Sequence, residues 1–511
     1  MKMGWEKLGF GILLSISLAC RLTYIAPTSP VETAQVQVSP ASGQLFPSLT
    51  AALPTQTSTL AEPEQAVGSI GIPEGQLSAG DPYAPELGNS GYDVQQYSIE
   101  LSLDPANTWL GGRVTIQARS TLAGLHAISL DFSGFHIQSV TVTGIPANYE
   151  RREKKLIIAL PRLLELGKLF TVQVTYQGTP PQESSPYIPF LSHLGMFFQP
   201  ESKRLFVASE PDGAHTWFPC NDHPRDKATY QFELAVPHGL VGIAIGKLTG
   251  VRRDVQGMFP DGQVADVYSW QINEPAASAF VTVAVGDYEE LKETSPGGVL
   301  LRSYIFPEKI AEFSQKVDQI GKMVDWMAGL YGDYPYEAFG YVMVEGLGAS
   351  LETQTMVVMD KEASASEETL VHEMAHMWFG DWVSLDSWGE IWRSEGFATY
   401  TAALWENRAD PGGLETALGA YQKMIEEHPL DFWLDNPPPE KLFDQGIYFK
   451  GALLAHALRQ EMGDESFFEG LRTYFKQYGG GNASQAQFQQ VMEQAAGISL
   501  GPFFSEWITL P

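Results

Sequence analysis

The sequence predicts an α+β chain of more than one domain, in which an all-β domain precedes a mostly helical one. Between about residues 91 and 290, apolar and polar residues alternate in short runs punctuated by turn residues, and no long helical period occurs. From about residue 307 the apolar residues fall at helical spacing. The 511 residues, 44% of them apolar, suffice for two or three domains with sizeable cores.

The first twenty residues have the features of an export signal. Lys2 and Lys7 precede an apolar run, residues 8–18, which has signal-peptide length and is too short for an ordinary membrane span. The run ends in Ser-Leu-Ala-Cys, which resembles the lipobox of bacterial lipoproteins, with Ser17 where leucine is usual. We expect an exported bacterial protein, at the extracellular face or in the periplasm, tethered to the membrane by a lipid on Cys20. The alternative is an ordinary signal peptide followed by a chance cysteine.

Residues 21–90 have the composition of a tether. Pro, Ser, Thr, Ala, Gln and Gly dominate this stretch, and aromatic residues are scarce. Such a segment buries too little apolar area to offset the entropy lost on ordering. The sequence therefore predicts a disordered tether between the membrane anchor and the folded part.

Residues 91–290 are predicted to form a β sandwich or a bent sheet. Tyr97, Ile99 and Leu101 alternate with polar residues, as in a strand with one buried face. Similar runs recur at residues 114–116, 170–174 and 280–285. Repeated short strands without helices are typical of an all-β domain.

Charge and cysteine content exclude several classes of protein. The chain has 32 basic and 61 acidic residues, a formal charge of −29, which disfavours nucleic acid and anionic membranes as partners. We therefore expect membrane contact only through the lipid anchor. Two cysteines, Cys20 and Cys220, exclude a disulfide framework, and Cys220 is interpreted as a packed thiol.

Residues 291–511 are predicted to form the helical domain. Apolar residues between Ile310 and Met327 follow a helical period, and residues 341–344 have the composition of a strand. Helical spacing continues over residues 400–409 and breaks at Asp-Pro-Gly-Gly, residues 410–413.

This domain contains a candidate metal site. His372 and His376 are four residues apart, so on a helix both imidazoles lie on one face. Glu373 is offset by roughly 100° and can reach a water molecule on a shared metal. Eighteen residues separate His376 from Glu395, a third candidate ligand. Two histidines, one glutamate and an open position form a hydrolytic zinc site.

A chance occurrence of His-Glu-x-x-His on an amphipathic helix is the alternative. The preceding Ser364-Ala-Ser-Glu367 has the spacing of a capping box, which favours a helix that begins there. Glu390, five residues before Glu395, is a candidate partner for a zinc-bound histidine.

The stretch HEMAHMWFGDWVSLDSWGEIWRSEGFATY, residues 372–400, resembles the zinc aminopeptidases of the aminopeptidase N and leukotriene hydrolase type. These are gluzincins, in which His-Glu-x-x-His is followed after eighteen residues by Glu. The Trp-Phe-Gly after the first motif and the Glu-Gly-Phe-Ala at Glu395 also match, whereas Ser394 stands where the family usually has Asn. The resemblance implies a β sandwich or saddle domain followed by a thermolysin-like domain, in a short form without the family's carboxy-terminal domains.

The resemblance also implies the cofactor and the catalytic residues. One Zn²⁺ per chain is expected on His372, His376 and Glu395, with Glu373 as the base. Residues 448–452, Tyr-Phe-Lys-Gly-Ala, resemble the segment whose tyrosine stabilises the oxyanion, and this role falls on Tyr448. The alternative for Tyr448 is a packed aromatic at a helix start.

Two further glutamates are implied to bind the substrate's amino group. Residues 348–355 resemble the family's Gly-x-Met-Glu-Asn motif, with Leu351 for Met and Thr353 for Asn, which assigns the anchoring carboxylate to Glu352. Glu210 precedes a segment, Phe-Pro-Cys-x-Asp-x-Pro with Lys-Ala after it, that resembles the other anchor region. The alternatives are a strand with an exposed Glu352 and a solvated turn at Glu210.

These features together predict an aminopeptidase that acts on peptides with a free amino terminus. Two alternatives remain: a zinc endopeptidase with an open cleft, and a tethered peptide-binding protein without catalysis. The sequence does not indicate the preferred first residue.

Overall fold

The computed structural model describes residues 69–509. The predicted signal peptide, Cys20 and the tether up to residue 68 lie outside the described residues. Within residues 69–509, no helix is both long and apolar enough to cross a bilayer.

The amino-terminal domain is built from β strands joined by turns and short 3₁₀ helices, and residues 91–290 contain no α-helix. Its strands are β1 (Tyr92–Asp104), β2 (Trp109–Ser120), β3 (Leu125–Asp131), β4 (His136–Val142), β5 (Ile145–Pro146), β6 (Tyr149–Arg152), β7 (Lys155–Leu164), β8 (Leu169–Gly178), β9 (Gly195–Gln199), β10 (Arg204–Ala208), β11 (Lys227–Pro237), β12 (Val241–Ala244), β13 (Lys247–Val255), β14 (Ala265–Ala277) and β15 (Val283–Gly286).

A large sheet dominates this domain, with strand order β13-β14-β11-β1-β2-β8-β4-β5. β1 pairs with β11 in parallel and with β2 antiparallel, and its alternate residues Tyr97, Ile99 and Leu101 are buried. Two smaller sheets, β12-β15-β10-β9 and β3-β7-β6, complete the layers. The alternation of apolar and polar residues therefore gave the correct strands, except that residues 278–280 form a 3₁₀ helix before β15.

Residues 69–90 differ from the prediction of a disordered tether, because they pack against the folded domains. Asp81 accepts hydrogen bonds from the Ser387 hydroxyl at 2.8 Å and the Trp388 backbone N–H at 3.2 Å. The Asn89 side chain donates to Asp131 at 2.7 Å, and its backbone N–H donates to Asn221 at 2.6 Å. Buried hydrogen bonds fix this segment together with the buried apolar side chains Ile70, Ile72, Ala84 and Leu87. These few residues were not apparent from its overall composition.

The carboxy-terminal domain combines a mixed sheet with helices. Its strands are β16 (Glu289–Thr294), β17 (Leu300–Ile305), β18 (Ala338–Phe339), β19 (Tyr341–Val344), β20 (Ser350–Leu351), β21 (Val357–Asp360), β22 (Val383–Leu385) and β23 (Gly481–Ala483). Its helices are α1 (Ile310–Phe313), α2 (Val317–Tyr331), α3 (Glu367–Ala375), α4 (Trp392–Glu406), α5 (Pro411–Glu427), α6 (Gln445–Met462), α7 (Asp464–Tyr478), α8 (Gln485–Ala496) and α9 (Gly501–Thr509).

Helix starts differ from the sequence prediction in two places. α3 is capped by Ser366, whose side chain accepts from the Thr369 N–H, so the predicted capping box at Ser364 is wrong by two residues. Asp410 was assigned to a break, but its side chain caps α5 and Pro411 occupies the first helical position. In both cases a short polar side chain caps the start of the helix.

Candidate metal centre

Three side chains meet at one point, one from α3, one from His376 at its C-cap, and one from α4. His372 Nε2 lies 3.1 Å from Glu395 Oε2 and 3.2 Å from His376 Nε2, and His376 Nε2 lies 3.5 Å from Glu395 Oε2. A tetrahedral zinc ion with ligand distances of about 2.0–2.1 Å requires donor atoms roughly 3.3 Å apart. The three predicted ligands therefore fit zinc without rearrangement.

Close contact between two helices brings Tyr448 to this point. A Cβ on Gly396 of α4 would lie 2.6 Å from the Gly451 Cα of α6, so only glycine permits this approach. Tyr448, one turn before Gly451, consequently stacks on His372 with ring centroids 5.9 Å apart and planes 17° apart. The glycines of the Glu-Gly and Lys-Gly sequences thus allow α4 and α6 to pack closely, which places Tyr448 beside His372.

A hydrogen-bond network orients His376. Its Nδ1–H faces the Phe379 carbonyl at 3.0 Å and the Ser394 hydroxyl at 2.9 Å, and the Ser394 hydroxyl donates to the same carbonyl at 2.9 Å. With the proton on Nδ1, the Nε2 lone pair faces Glu395 and His372, as a metal ligand requires.

Glu390 does not perform the orienting role suggested for it. Its carboxylate pairs with Arg393 and accepts the Gln485 backbone N–H at 3.0 Å, away from both histidines. Ser394, which the sequence showed only as a departure from Asn, orients the histidine instead. Sequence spacing could not show whether Glu390 or Ser394 orients the histidine, because both lie a few residues before Glu395.

Glu210 and Glu352 lie beside the metal ligands. They are 2% and 4% exposed, which rules out a solvated turn at Glu210 and an exposed Glu352. One carboxylate oxygen from each lies within 4.8 Å of the other and of a Glu395 oxygen. Within the described residues, Glu210 Oε1, Glu352 Oε1 and Glu373 Oε2 are buried without a hydrogen-bond partner. Buried carboxylate oxygens without partners require a cation or a donor.

The pKa shifts in this cluster also indicate that it requires a cation or a hydrogen-bond donor. Burial, and then the nearby Glu352, raise the pKa of both Glu210 and Glu373 well above the ordinary range. Burial lowers the pKa of His376, but Glu352 and Glu395 outweigh it and raise the pKa to about 10. Without a metal, protons compensate the excess negative charge, and a dication would replace them.

Sequence reasoning missed two charged groups next to this cluster. Asp381 is fully buried, and burial followed by the charge of Glu352 raises its pKa well above normal. The Lys227 ammonium donates to the Asp381 backbone carbonyl at 2.7 Å, and burial lowers the pKa of Lys227 to about 7. The positions of the two residues in the sequence could have indicated them. Asp381 directly follows the Trp-Phe-Gly of the zinc motif, and Lys227 is the lysine of the Lys-Ala pair that follows Phe-Pro-Cys-x-Asp-x-Pro.

A cavity of about 110 Å³ opens beside the metal ligands. Polar groups, including Glu210, Glu352, Glu373 and Tyr448, occupy part of its wall. The rest is mainly apolar and comes from both domains: Ile188, Phe190, Leu191, Leu194, Leu347, Leu351, Phe443 and Phe449.

A buried histidine fixes the loop that supplies part of this wall. Glu183, at the start of the loop, lies 3.5 Å from His215 Nε2, and its carbonyl accepts the Leu194 N–H at 3.0 Å. His215 Nδ1 donates to Asp222 at 2.9 Å. Burial lowers the pKa of His215, but the hydrogen bond to Asp222 and the nearby Glu183 carboxylate outweigh it and raise the pKa to about 9.

Comparison with known proteins identifies both domains. Residues 93–252 match the model of the peptidase M1 N-terminal domain, and residues 335–507 match that of the peptidase family M1 domain. A probable aminopeptidase 1 of Saccharolobus solfataricus is 24% identical over 412 residues, 75% of this chain and 50% of its own length. Aminopeptidase N of Streptomyces lividans is 25% identical over 450 residues, 81% of this chain and 50% of its own length. The chain thus spans about half the length of these relatives.

Solved structures match over a larger share of their length. A two-domain M1 zinc metallopeptidase mutant bound to L-tryptophan superimposes with a TM-score of 0.76 and 27% identity, over 85% of this chain and 99% of that one. A mutant M1 zinc metallopeptidase from Deinococcus radiodurans, bound to a Tyr-Ser-Ala substrate, gives a TM-score of 0.74 at 27% identity, over 85% and 98% of the two chains. Together with the fit of His372, His376 and Glu395 to zinc, these matches show that the chain belongs to peptidase family M1, a family of zinc-dependent metallopeptidases.

Proposed function

We propose that the protein is a zinc aminopeptidase that removes the first residue from peptides with a free amino terminus. The observation that carries this proposal is the pair of buried carboxylates, Glu210 and Glu352, next to the three metal ligands. A primary ammonium has three donors and one positive charge, which match carboxylate oxygens that lack partners within the described residues.

The same carboxylates favour an aminopeptidase over an endopeptidase. An internal peptide segment has no ammonium, so it would leave Glu210 and Glu352 buried and unpaired, at a cost of about 1–3 kcal/mol or more for each charged group. The cavity of about 110 Å³ is also small. A cavity of about 150 Å³ holds one benzene molecule, so the space here suits a single side chain.

The site contains a residue suited to each step of hydrolysis. Zinc, when bound by His372, His376 and Glu395, lowers the pKa of a water molecule toward neutrality and withdraws charge from the scissile carbonyl. The free Glu373 Oε2 accepts the water proton and later delivers it to the departing amine. The Tyr448 hydroxyl, in the cavity wall, donates to the oxyanion. Glu210 and Glu352 hold the ammonium and so set which bond lies within reach.

The similar proteins support this assignment. Two of the similar structures, both of two-domain M1 zinc metallopeptidases, hold a single amino acid, L-tryptophan or L-arginine. A further M1 zinc metallopeptidase structure holds a Tyr-Ser-Ala substrate. A free amino acid and a short peptide share an amino-terminal ammonium. The acidic cluster of this chain suits that group on either ligand.

We also propose that the mature chain is attached to the outer face of a membrane through a lipid on Cys20. The support is the sequence alone, in which an apolar run ends at Ala-Cys. Mass spectrometry of the amino-terminal peptide from membranes tests this. A diacylated Cys20 is expected, and an unmodified peptide cleaved elsewhere would contradict it.

The peptidase proposal is tested with a panel of free and amino-blocked peptides, with and without a chelator. Chelator-sensitive release of the first residue from free peptides alone is expected. Cleavage of blocked peptides would make the protein an endopeptidase. Zinc binding without any cleavage would make it a peptide-binding protein.

A further inference from the structure

Four exposed leucines cluster at one end of the large sheet. Leu163, Leu166 and Leu169 lie in and around the turn that joins β7 to β8, and are 68%, 67% and 56% exposed. Leu122, in the turn that joins β2 to β3, is 41% exposed. We call these two turns, residues 121–124 and 163–169, the leucine tip. Single exposed apolar residues are ordinary, but a contiguous group marks an interaction surface.

Backbone hydrogen bonds join the two turns into one unit. The Gly167 N–H donates to the Ser120 carbonyl at 2.8 Å, and the Ser120 N–H donates to Lys168 at 2.9 Å. The Gly124 N–H donates to Leu164 at 2.8 Å. The leucines are therefore presented on a fixed protrusion in which the turn backbones are largely satisfied.

The charge around the tip is opposite to that of the chain. Over the whole sequence, 61 acidic residues outnumber 32 basic ones. At the tip, the cations Arg119, Arg162 and Lys168 outnumber the carboxylates Asp93 and Glu165. Since charges are screened beyond about 8 Å at physiological ionic strength, the tip meets an approaching surface with its own charge rather than the total.

The chain also enters the structure next to the tip. The His126 ring bonds the Gly71 carbonyl at 2.6 Å, two residues after the turn at 121–124. A Cβ on Gly91 would lie 3.3 Å from the Leu122 side chain and 3.6 Å from Gln76, so the entering segment passes beside the tip. The first described residues therefore lie near the tip, and the Ile70 N–H donates to Glu150 of β6 at 2.7 Å.

We propose that the leucine tip inserts into the headgroup region of a phospholipid bilayer and fixes the orientation of the enzyme on the membrane. Leucines on a turn bury apolar area among the lipids, while the flanking Arg and Lys side chains contact phosphate groups. The proposal does not depend on peptidase activity, and it adds to the Cys20 anchor a second contact with the same surface.

The test places a polarity-sensitive fluorophore on the tip. In the full chain with Cys20→Ser, Leu166→Cys supplies the one reactive thiol, because Cys220 is fully buried. Vesicles of phosphatidylethanolamine and phosphatidylglycerol are expected to shift the emission to the blue, and lipids brominated near the headgroup should quench it. The same label at Ile498→Cys, an exposed apolar position on the catalytic domain, is the control and should not respond.

Two double variants distinguish insertion of the tip from nonspecific adsorption to the vesicles. Leu163→Ser with Leu169→Ser should lower the vesicle affinity reported by the label at residue 166 by about tenfold or more. Val251→Ser with Met258→Ser removes two exposed apolar side chains elsewhere and should leave that affinity unchanged. No response at residue 166, or equal responses at 166 and 498, would overturn the proposal. A blue shift that depends on protein concentration without lipid would show instead that the tip joins two copies of the chain.

Discussion

Replacing Ser394 with alanine tests how the protein prepares His376 to bind zinc. The hydroxyl lies 2.9 Å from His376 Nδ1 and donates to the Phe379 carbonyl at 2.9 Å. In the alanine variant the imidazole keeps one partner, the Phe379 carbonyl at 3.0 Å. The tautomer should survive, but the ring loses one of two restraints.

The expected loss follows from the value of one hydrogen bond. A net contribution of about 0.5–1.5 kcal/mol corresponds to a dissociation constant for zinc that rises roughly two- to twelvefold. This lies at or below the lower end of the range of about 10–100-fold seen when such partners of a zinc-bound histidine are removed. The remaining carbonyl explains why the smaller effect is expected.

The measurement is competition for zinc with a chromophoric chelator, together with kcat/KM at saturating zinc. Zinc affinity should fall while kcat/KM at saturation changes little. Ser278→Ala is the matched control, because this buried hydroxyl bonds Asp222 at 2.9 Å and none of the metal ligands. An unchanged zinc affinity, or an equal loss in both variants, would refute the orienting role of Ser394.

Four further predictions concern the site and its supporting loop. Glu373→Gln should retain zinc and lower kcat by on the order of 10²–10⁴, and near-normal turnover would exclude it as the base. Tyr448→Phe should lower kcat by on the order of 10²–10³ with little change in KM, whereas an unchanged kcat would make the tyrosine structural. Glu352→Ala should raise KM for peptides with a free amino terminus and leave the binding of amino-blocked peptides nearly unchanged, because only the free peptides carry the ammonium. Equal losses for both would contradict the role of Glu352 as the anchor. Because the pKa of His215 is about 9 in the folded chain and about 6.5 when unfolded, its stabilising contribution should be complete below pH 6.5 and lost as the pH rises to about 9. Unfolding measured across this range should show a shallower decline for His215→Gln, and an identical slope would contradict the prediction.

Local features of the sequence were sufficient for most elements and for the metal ligands. Alternation of apolar residues specified β1, and helical spacing placed His372 and His376 on one face of α3. These patterns act over a few residues, where backbone geometry alone decides which side chains share a face. The motif around Glu395 extended the inference to α4, although residues 376–391 with the strand β22 separate the two helices.

Only the tertiary structure shows how distant groups come together at the site. Glu210 comes from the β domain, yet its carboxylate lies within 4.8 Å of Glu352 and Glu395 oxygens. The contact of Asp81 with Ser387 joins residues 306 positions apart, and it ordered a segment whose composition indicated disorder. Such contacts depend on how whole layers pack, and no period in the sequence encodes them. For the same physical reason, no pattern in the sequence marked the leucines of the tip, whereas the fold leaves them exposed on two neighbouring turns.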